Sequence, residues 1–164
     1  MILIKDKIAV EKMKEAGKLL SELFSELATA IVPGMSTLAL DALIEEKLAA
    51  RKMISQSKGY MGYQHVSCIS LNDEVVHGVP HGERAIKRGD LVKIDICAAY
   101  NGYCADMARC FVIGNADSAV HDLIAAAEAA PDASDSVKVG DFDLPDSITL
   151  KMYFCSPLLV LMSW

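Results

Sequence analysis

Two amphipathic helical stretches followed by one long hairpin predict an α+β protein, with helices covering one face of an antiparallel sheet of about four strands. The hairpin signal is the dipeptide Asn101-Gly102, which lies between two runs of alternating apolar residues and is typical of a two-residue type I′ turn. The helical signal is a recurrence of apolar residues at three- and four-residue steps over residues 7–31 and again up to about Lys52. A chain of 164 residues is long enough for one domain with a hydrophobic core.

Composition restricts the kinds of partner and compartment. The chain is 52% hydrophobic and has a formal net charge of −6 without a basic cluster, which argues against a nucleic-acid partner. Charged residues interrupt the first apolar run, so no secretory signal peptide is expected. The five cysteines are odd in number and lack paired CxxC spacing, which favours reduced thiols in a cytoplasmic protein. The spacing of Cys97, Cys104 and Cys110 does not favour a structural zinc site.

The helices are bounded by capping and breaking residues. Asp6 is a suitable cap for the first helix, and Pro33-Gly34 ends it. The apolar stripes of the first two helices are expected to cover the apolar face of the sheet. Three helices are predicted in all: residues 7–31, from Ser36 or Thr37 to about Lys52, and from about Ser118 to Ala130.

The hairpin turn fixes the register of the two strands that flank it. If Tyr100 and Tyr103 form the first cross-strand pair, Cys97 lies opposite Asp106, and Asp95 becomes a diagonal neighbour of Asp106 on the same face. Diagonal neighbours have backbones roughly 7–8 Å apart, so the two carboxyl groups can converge. The other face is apolar except for Arg109, and carries Val92, Ile94, Ile96, Ala98, Ala105, Met107 and Phe111.

The converging carboxylates, Asp95 and Asp106, allow two interpretations. Two like charges this close are unfavourable unless they share a cation or a proton, which indicates a metal or acid–base site. Alternatively, the pair lies on a solvated strand face that merely tolerates aspartate. Aspartate is depleted in strand interiors, and its neighbours here are small or sulfur-bearing, which is unlike an ordinary wet face.

The combined motif resembles the first half of the type I methionine aminopeptidases, the pita-bread metallo-aminopeptidases. It consists of VVHGVP followed by GDLVKIDICAAYNGYCADMARCF. In that family a histidine in an HG-P context precedes two aspartates eleven residues apart on adjacent strands, and His77, Asp95 and Asp106 match them. The resemblance covers roughly residues 7–148. It implies half of a pita-bread fold in residues 1–150, followed by an atypical apolar tail in residues 151–164.

The resemblance also implies a reaction and a site. Members of the family remove the N-terminal methionine from peptides and nascent proteins, using two divalent ions, for which Co, Mn, Fe and Zn are all candidates. Asp95 and Asp106 would be metal ligands, and His77 would act at the scissile amide. Tyr60, Tyr63 and Cys68 match positions of the pocket for the methionine side chain, with His77 beside the substrate. A short strand, Val66 to Ser70, follows this loop, and an apolar strand is expected just before His77.

The remainder of the chain departs from the family. The family site also uses one histidine and two glutamates from its second half, but downstream of Ala130 this sequence has neither His nor Glu. The chain alone is therefore predicted to be weakly active or inactive. The alternative is a non-catalytic peptide-binding module, or one that self-associates through exposed strand edges. The 13-residue apolar segment at 152–164 is too short to span a bilayer, so no membrane role is expected. The other histidines, His65, His81 and His121, are expected at the surface.

Overall fold

A computed structural model describes residues 5–129 of the chain. The predicted boundary near residue 150, the apolar tail of residues 151–164 and the predicted helix end at Ala130 lie outside this range. No helix within the range is long and apolar enough to cross a membrane. The described helices and strands follow the order α1 (Lys7–Ala30), α2 (Thr37–Ala50), β1 (Ile54–Ser55), β2 (Cys68–Leu71), β3 (Leu91–Tyr100), β4 (Tyr103–Val112) and α3 (Ser118–Ala129).

Strand β3 is the centre of an antiparallel sheet. It pairs along its whole length with β4, and β1 and β2 pair with successive parts of its other edge. The predicted register of the hairpin is confirmed, because Tyr100 pairs with Tyr103 and Cys97 pairs with Asp106. Asn101 and Gly102 have φ angles of +50° and +81°. Both residues of a type I′ turn need positive φ, so this dipeptide suits the turn that sets the register.

The helices cover one face of this sheet, as predicted. The residues of β3 that point to this face are completely buried, and helix α1 packs across β3 and β4. The rings of Phe24 on α1 and Phe111 on β4 stack with their centroids 6.4 Å apart. The core therefore lies between the helices and the apolar face of the sheet, and it includes Leu20, Leu23, Phe24, Leu27, Leu40, Ile44, Ile69, Val92, Ile94 and Ile96.

Both predicted helix caps are present. The Asp6 carboxylate accepts a hydrogen bond of 2.7 Å from the Ala9 amide, and the Ser36 hydroxyl accepts one of 3.1 Å from the Ala39 amide. Each cap satisfies one of the amides that a helix start leaves without a partner. The helix starts could thus be read from single residues, because capping is a local interaction.

Two strand predictions are wrong, one in its bounds and one in its existence. The short strand begins at Cys68 rather than Val66, because the amides of Val66 and Ser67 donate to the carboxylate of Asp41 instead of to a neighbouring strand. The apolar strand expected before His77 does not form, and residues 72–80 are a loop in which Val75 and Val76 are 41% and 50% exposed. An apolar run is not by itself enough to make a strand when no neighbouring edge pairs with it.

Candidate metal centre and substrate pocket

The two aspartates of the hairpin lie on the sheet face opposite the helices. Asp95 pairs across the strands with Ala108 on β4 and with Cys68 on β2, whereas Asp106 pairs with Cys97. Asp95 is half-buried and Asp106 is exposed, and the two carboxyl groups are close enough for Asp106 to change the pKa of Asp95. The diagonal arrangement expected from the hairpin register is therefore present.

The electrostatics of this pair are unusual for two surface carboxylates. Burial and then the adjacent negative charge of Asp106 and the hydrogen bond to it raise the pKa of Asp95 to about 7. Desolvation and a like charge both disfavour the ionised form of a carboxyl group. Near neutral pH Asp95 is therefore protonated in a substantial fraction of molecules, at a place where a bound cation would relieve the same repulsion.

The donor set fits a divalent metal ion only in part. Carboxylate oxygens are suitable ligands for hard and borderline divalent ions. Asp95 and Asp106 supply two such groups, but within residues 5–129 no three or more His, Cys, Asp or Glu side chains are grouped so that they could hold a metal ion. The described residues thus offer two carboxylates at this place and no third side chain of the kind that would complete a metal site.

Two of the predicted pocket residues lie beside this pair. The Tyr63 hydroxyl donates to the Ser67 carbonyl at 2.8 Å and lies 3.6 Å from the Cys68 sulfur. Tyr63 and Cys68 together form a wall of half-buried, polarizable groups. This wall lies next to the carboxylates because Cys68 is the cross-strand partner of Asp95. Burial raises the pKa of both the Tyr63 phenol and the Cys68 thiol, so both stay protonated at neutral pH. Tyr60 lies in the turn before them and is 61% exposed.

The third predicted element, His77, lies on the loop of residues 72–80 and is exposed. Its φ angle is +59°, a conformation that residues other than glycine adopt rarely. The next residue, Gly78, donates its amide to the Ser70 hydroxyl at 2.9 Å. The side chain of Ser70 lies on the same sheet face as that of Asp95. Ser70 is two residues from Cys68 along β2, and Cys68 is the cross-strand partner of Asp95. The histidine loop is therefore attached to the face that carries the carboxylates.

A buried carboxylate that the sequence analysis did not identify holds the residues directly before β2. Asp41 on α2 is 5% exposed and accepts hydrogen bonds from the amides of Val66 and Ser67 and, at 2.7 Å, from the Ser67 hydroxyl. Its second oxygen lies 3.0 Å from Nδ1 of His65. A polar residue beside Leu40 on the buried stripe of a helix is the signal that could have identified it.

The expectation that His65 is an ordinary surface residue is therefore wrong. Its side chain is 19% exposed, because the ring lies against Asp41 and meets the ring of Tyr63 edge-on at 5.5 Å. His81 and His121 are exposed, as expected.

Asp41→Asn is expected to lower the free energy of unfolding by roughly 2–3 kcal/mol, because the new amide group would face donors that now bond to a carboxylate. Urea denaturation measures this loss. Glu45→Gln is the matched control, since Glu45 is an exposed acid on the same helix whose ion pair with Lys58 should be worth less than about 1 kcal/mol. Equal losses in the two variants would contradict the role given to Asp41.

Comparison with protein families matches residues 11–141 to metallopeptidase family M24, a match over more than half of the chain. The chain belongs to family M24. Among its curated M24 relatives, the methionine aminopeptidase of Clostridium acetobutylicum is 39% identical over 124 residues, covering 76% of this chain and 50% of the relative. Methionine aminopeptidase 1 of Bacillus subtilis is 40% identical over 115 residues, covering 70% of this chain and 46% of the relative. The chain spans about half the length of these relatives.

Solved structures agree with this M24 assignment. The methionine aminopeptidase of Thermotoga maritima matches with a TM-score of 0.72 and 37% identity, over 76% of this chain and 50% of that one. The fold is thus half of a pita-bread α+β domain. An Xaa-Pro dipeptidase of Bacillus anthracis matches with a TM-score of 0.63 and 25% identity, over 73% of this chain and 32% of that one. Because a protein named for another substrate shares the M24 fold, the fold alone does not select methionine.

Proposed function

We propose that this chain supplies the first half of a methionine aminopeptidase site. The observation that carries the proposal is the diagonal pair of carboxylates on β3 and β4, with Tyr63 and Cys68 beside Asp95, in an M24 sequence. Two carboxylates whose mutual repulsion raises the pKa of one of them mark a place that suits a cation. The carboxylates supply ligands and the adjacent wall supplies a surface for a substrate side chain.

Asp95 and Asp106 would hold the divalent metal, for which Co, Mn, Fe and Zn are candidates because first-row ions share such ligands. Once bound, such ions activate a water molecule for attack on a peptide carbonyl. In this chain Asp95 must lose its proton before the pair binds an ion, so metal uptake should strengthen as the pH rises through about 7, to which the pKa of Asp95 is raised.

The proposed substrate is the N-terminal methionine of a peptide or nascent protein. The methionine thioether is polarizable and packs well against aromatic rings and sulfur, which Tyr63 and Cys68 provide. Tyr60, in the exposed turn before them, would close over the side chain when a peptide binds. His77 would bond to the substrate next to the scissile amide, since its loop is tied to the same sheet face.

The 164-residue chain by itself is proposed to be inactive or weakly active. Two ligands do not fix the geometry of a hydrolytic metal site, and residues 131–164 contain neither His nor Glu. The missing ligands would come from a second polypeptide. A non-catalytic peptide-binding module is the second candidate, because protein groups alone, the Ser67 carbonyl and the Cys68 sulfur, contact the Tyr63 hydroxyl and hold it in the wall. The cytoplasmic location and self-association through the open edge of β4 remain predictions.

Calorimetric titration of the metal-stripped chain with Mn²⁺ and Co²⁺ tests the proposal, with cleavage of Met-Ala-Ser measured on the same sample. Weak metal uptake without turnover, together with metal-dependent binding of the peptide, is the expected result. Peptide binding that is independent of metal would favour the binding module. If neither metal nor peptide binds, the site assignment is wrong.

A further inference from the structure

We infer that Ser70 is a positioning residue that holds His77 in its left-handed backbone conformation, an inference that rests on the function proposed for His77. Ser70 lies in the middle of β2 and is 2% exposed. Its hydroxyl takes no part in the hydrogen bonds between strands, because these join backbone groups. The hydroxyl instead accepts the Gly78 amide at 2.9 Å.

The contact between β2 and the histidine loop is double. Besides the Gly78 amide, which bonds to Ser70, the Gly78 carbonyl accepts the Ile69 amide at 2.8 Å. A Cβ atom on Gly78 would lie 2.3 Å from the Ile69 carbonyl oxygen, so the approach is open only to glycine. His77, the residue directly before Gly78, is therefore held in place on its C-terminal side.

The conformation of His77 needs such a restraint. A residue other than glycine in the left-handed region costs on the order of 1 kcal/mol, and it persists only where the surroundings determine it. Further along the loop, Arg84 donates to the Val79 carbonyl at 2.9 Å and bonds to Glu74, whose carboxylate also accepts the Leu71 amide. These bonds hold the two ends of the loop, whereas the hydrogen bonds that Gly78, the residue after His77, makes within residues 5–129 are those with Ser70 and Ile69.

Loss of the Ser70 hydroxyl would leave the buried Gly78 amide without a partner. A buried donor without an acceptor is strongly unfavourable, so the peptide group is expected to turn away and find water. That rotation would let His77 relax to an extended backbone, and its imidazole would then leave the direction that the positive φ gives it.

Nuclear magnetic resonance of the full chain tests this directly, with Ser70→Ala as the variant. The wild-type chain should show the strong amide-to-Hα Overhauser effect within His77 that a positive φ produces, and slow exchange of the Gly78 amide. In S70A we expect the effect to weaken and Gly78 exchange to accelerate at least tenfold. Ser70→Thr, which keeps the hydroxyl, should restore both signals. If S70A does not fold, Ser70→Cys, whose sulfur is a poor acceptor, carries the same test.

Ser55→Ala is the matched control. The Ser55 hydroxyl also accepts backbone amides, those of Ser57 and Lys58 at 3.2 Å, but these lie in a different turn. S55A should therefore lower stability without changing His77. Unchanged His77 signals in S70A, or equal changes in S55A, would overturn the inference. Because these readouts need neither metal nor peptide, Ser70 can be shown to position His77 even if the titrations rule out the proposed function.

Discussion

Asp106→Asn should abolish divalent-metal uptake by the chain. The variant keeps the shape of the side chain but leaves Asp95 as the one ionised ligand of the pair, and a single carboxylate on an open sheet face holds a divalent ion poorly. Calorimetry with Mn²⁺ and Co²⁺ should give no heat of binding in D106N at concentrations that saturate the wild-type chain.

The control for this variant is Asp73→Asn. Asp73 is an exposed aspartate in the loop that follows β2, so its loss changes the net charge equally without touching the carboxylate pair. Metal uptake should be the same in D73N and in the wild-type chain. Undiminished uptake in D106N would mean that the metal ligands lie elsewhere.

The same variant should stabilise the metal-free protein at pH 8. The folded-state pKa of Asp95 lies above its unfolded value, so folding binds a proton between the two values, and stability falls as the pH rises from about 4 to about 7. Removing the charge of Asp106 removes part of this penalty. At pH 8 the free energy of unfolding of D106N, measured by urea denaturation, should be higher than that of the wild-type chain by on the order of 1 kcal/mol. The difference should shrink toward pH 5.

Gly78→Ala should destabilise the chain by more than about 3 kcal/mol. The added methyl group would meet the backbone of Ile69 and Ser70 at 2.3 and 2.7 Å, and backbone that is paired with β3 cannot move aside as a flexible side chain can. Urea denaturation monitored by far-ultraviolet circular dichroism gives the change in the free energy of unfolding.

Gly17→Ala provides the opposite case. Gly17 lies inside α1, and a Cβ there would meet no atom within 4 Å. Because glycine in a helix interior is less favourable than alanine by roughly 1 kcal/mol, G17A should gain stability. A loss in G78A no larger than a surface substitution gives would show that the loop does not approach β2 as closely as described.

The part of the fold that the sequence predicts well is the part governed by local rules. The pair Asn101-Gly102 determines the register of twenty residues of hairpin, and Asp6 and Ser36 mark the helix starts, because turn and cap preferences act within a few residues. The facing of Asp95 and Asp106 follows from that register by alternation alone.

The failures come from contacts between distant parts of the chain. Asp41 takes the amides that would have extended β2, over a separation of about 25 residues that no local pattern reveals. The same carboxylate contacts the ring of His65, which is therefore only partly exposed. Before His77, the apolar pattern favours a strand, but Glu74 and Arg84 bond to the loop instead. Such side-chain interactions override propensity, which is only a weak prior.

Placing both candidate ligands on one hairpin has a consequence for the order of folding. Asp95 and Asp106 meet as soon as the strands beside a two-residue turn pair, so little chain entropy is lost in bringing them together. Short hairpins form in microseconds, long before distant elements such as α2 and β2 dock. If these carboxylates bind a cation as proposed, a cation that meets the nascent chain would reach them before the pocket wall exists, and its binding would favour the hairpin as a folding nucleus.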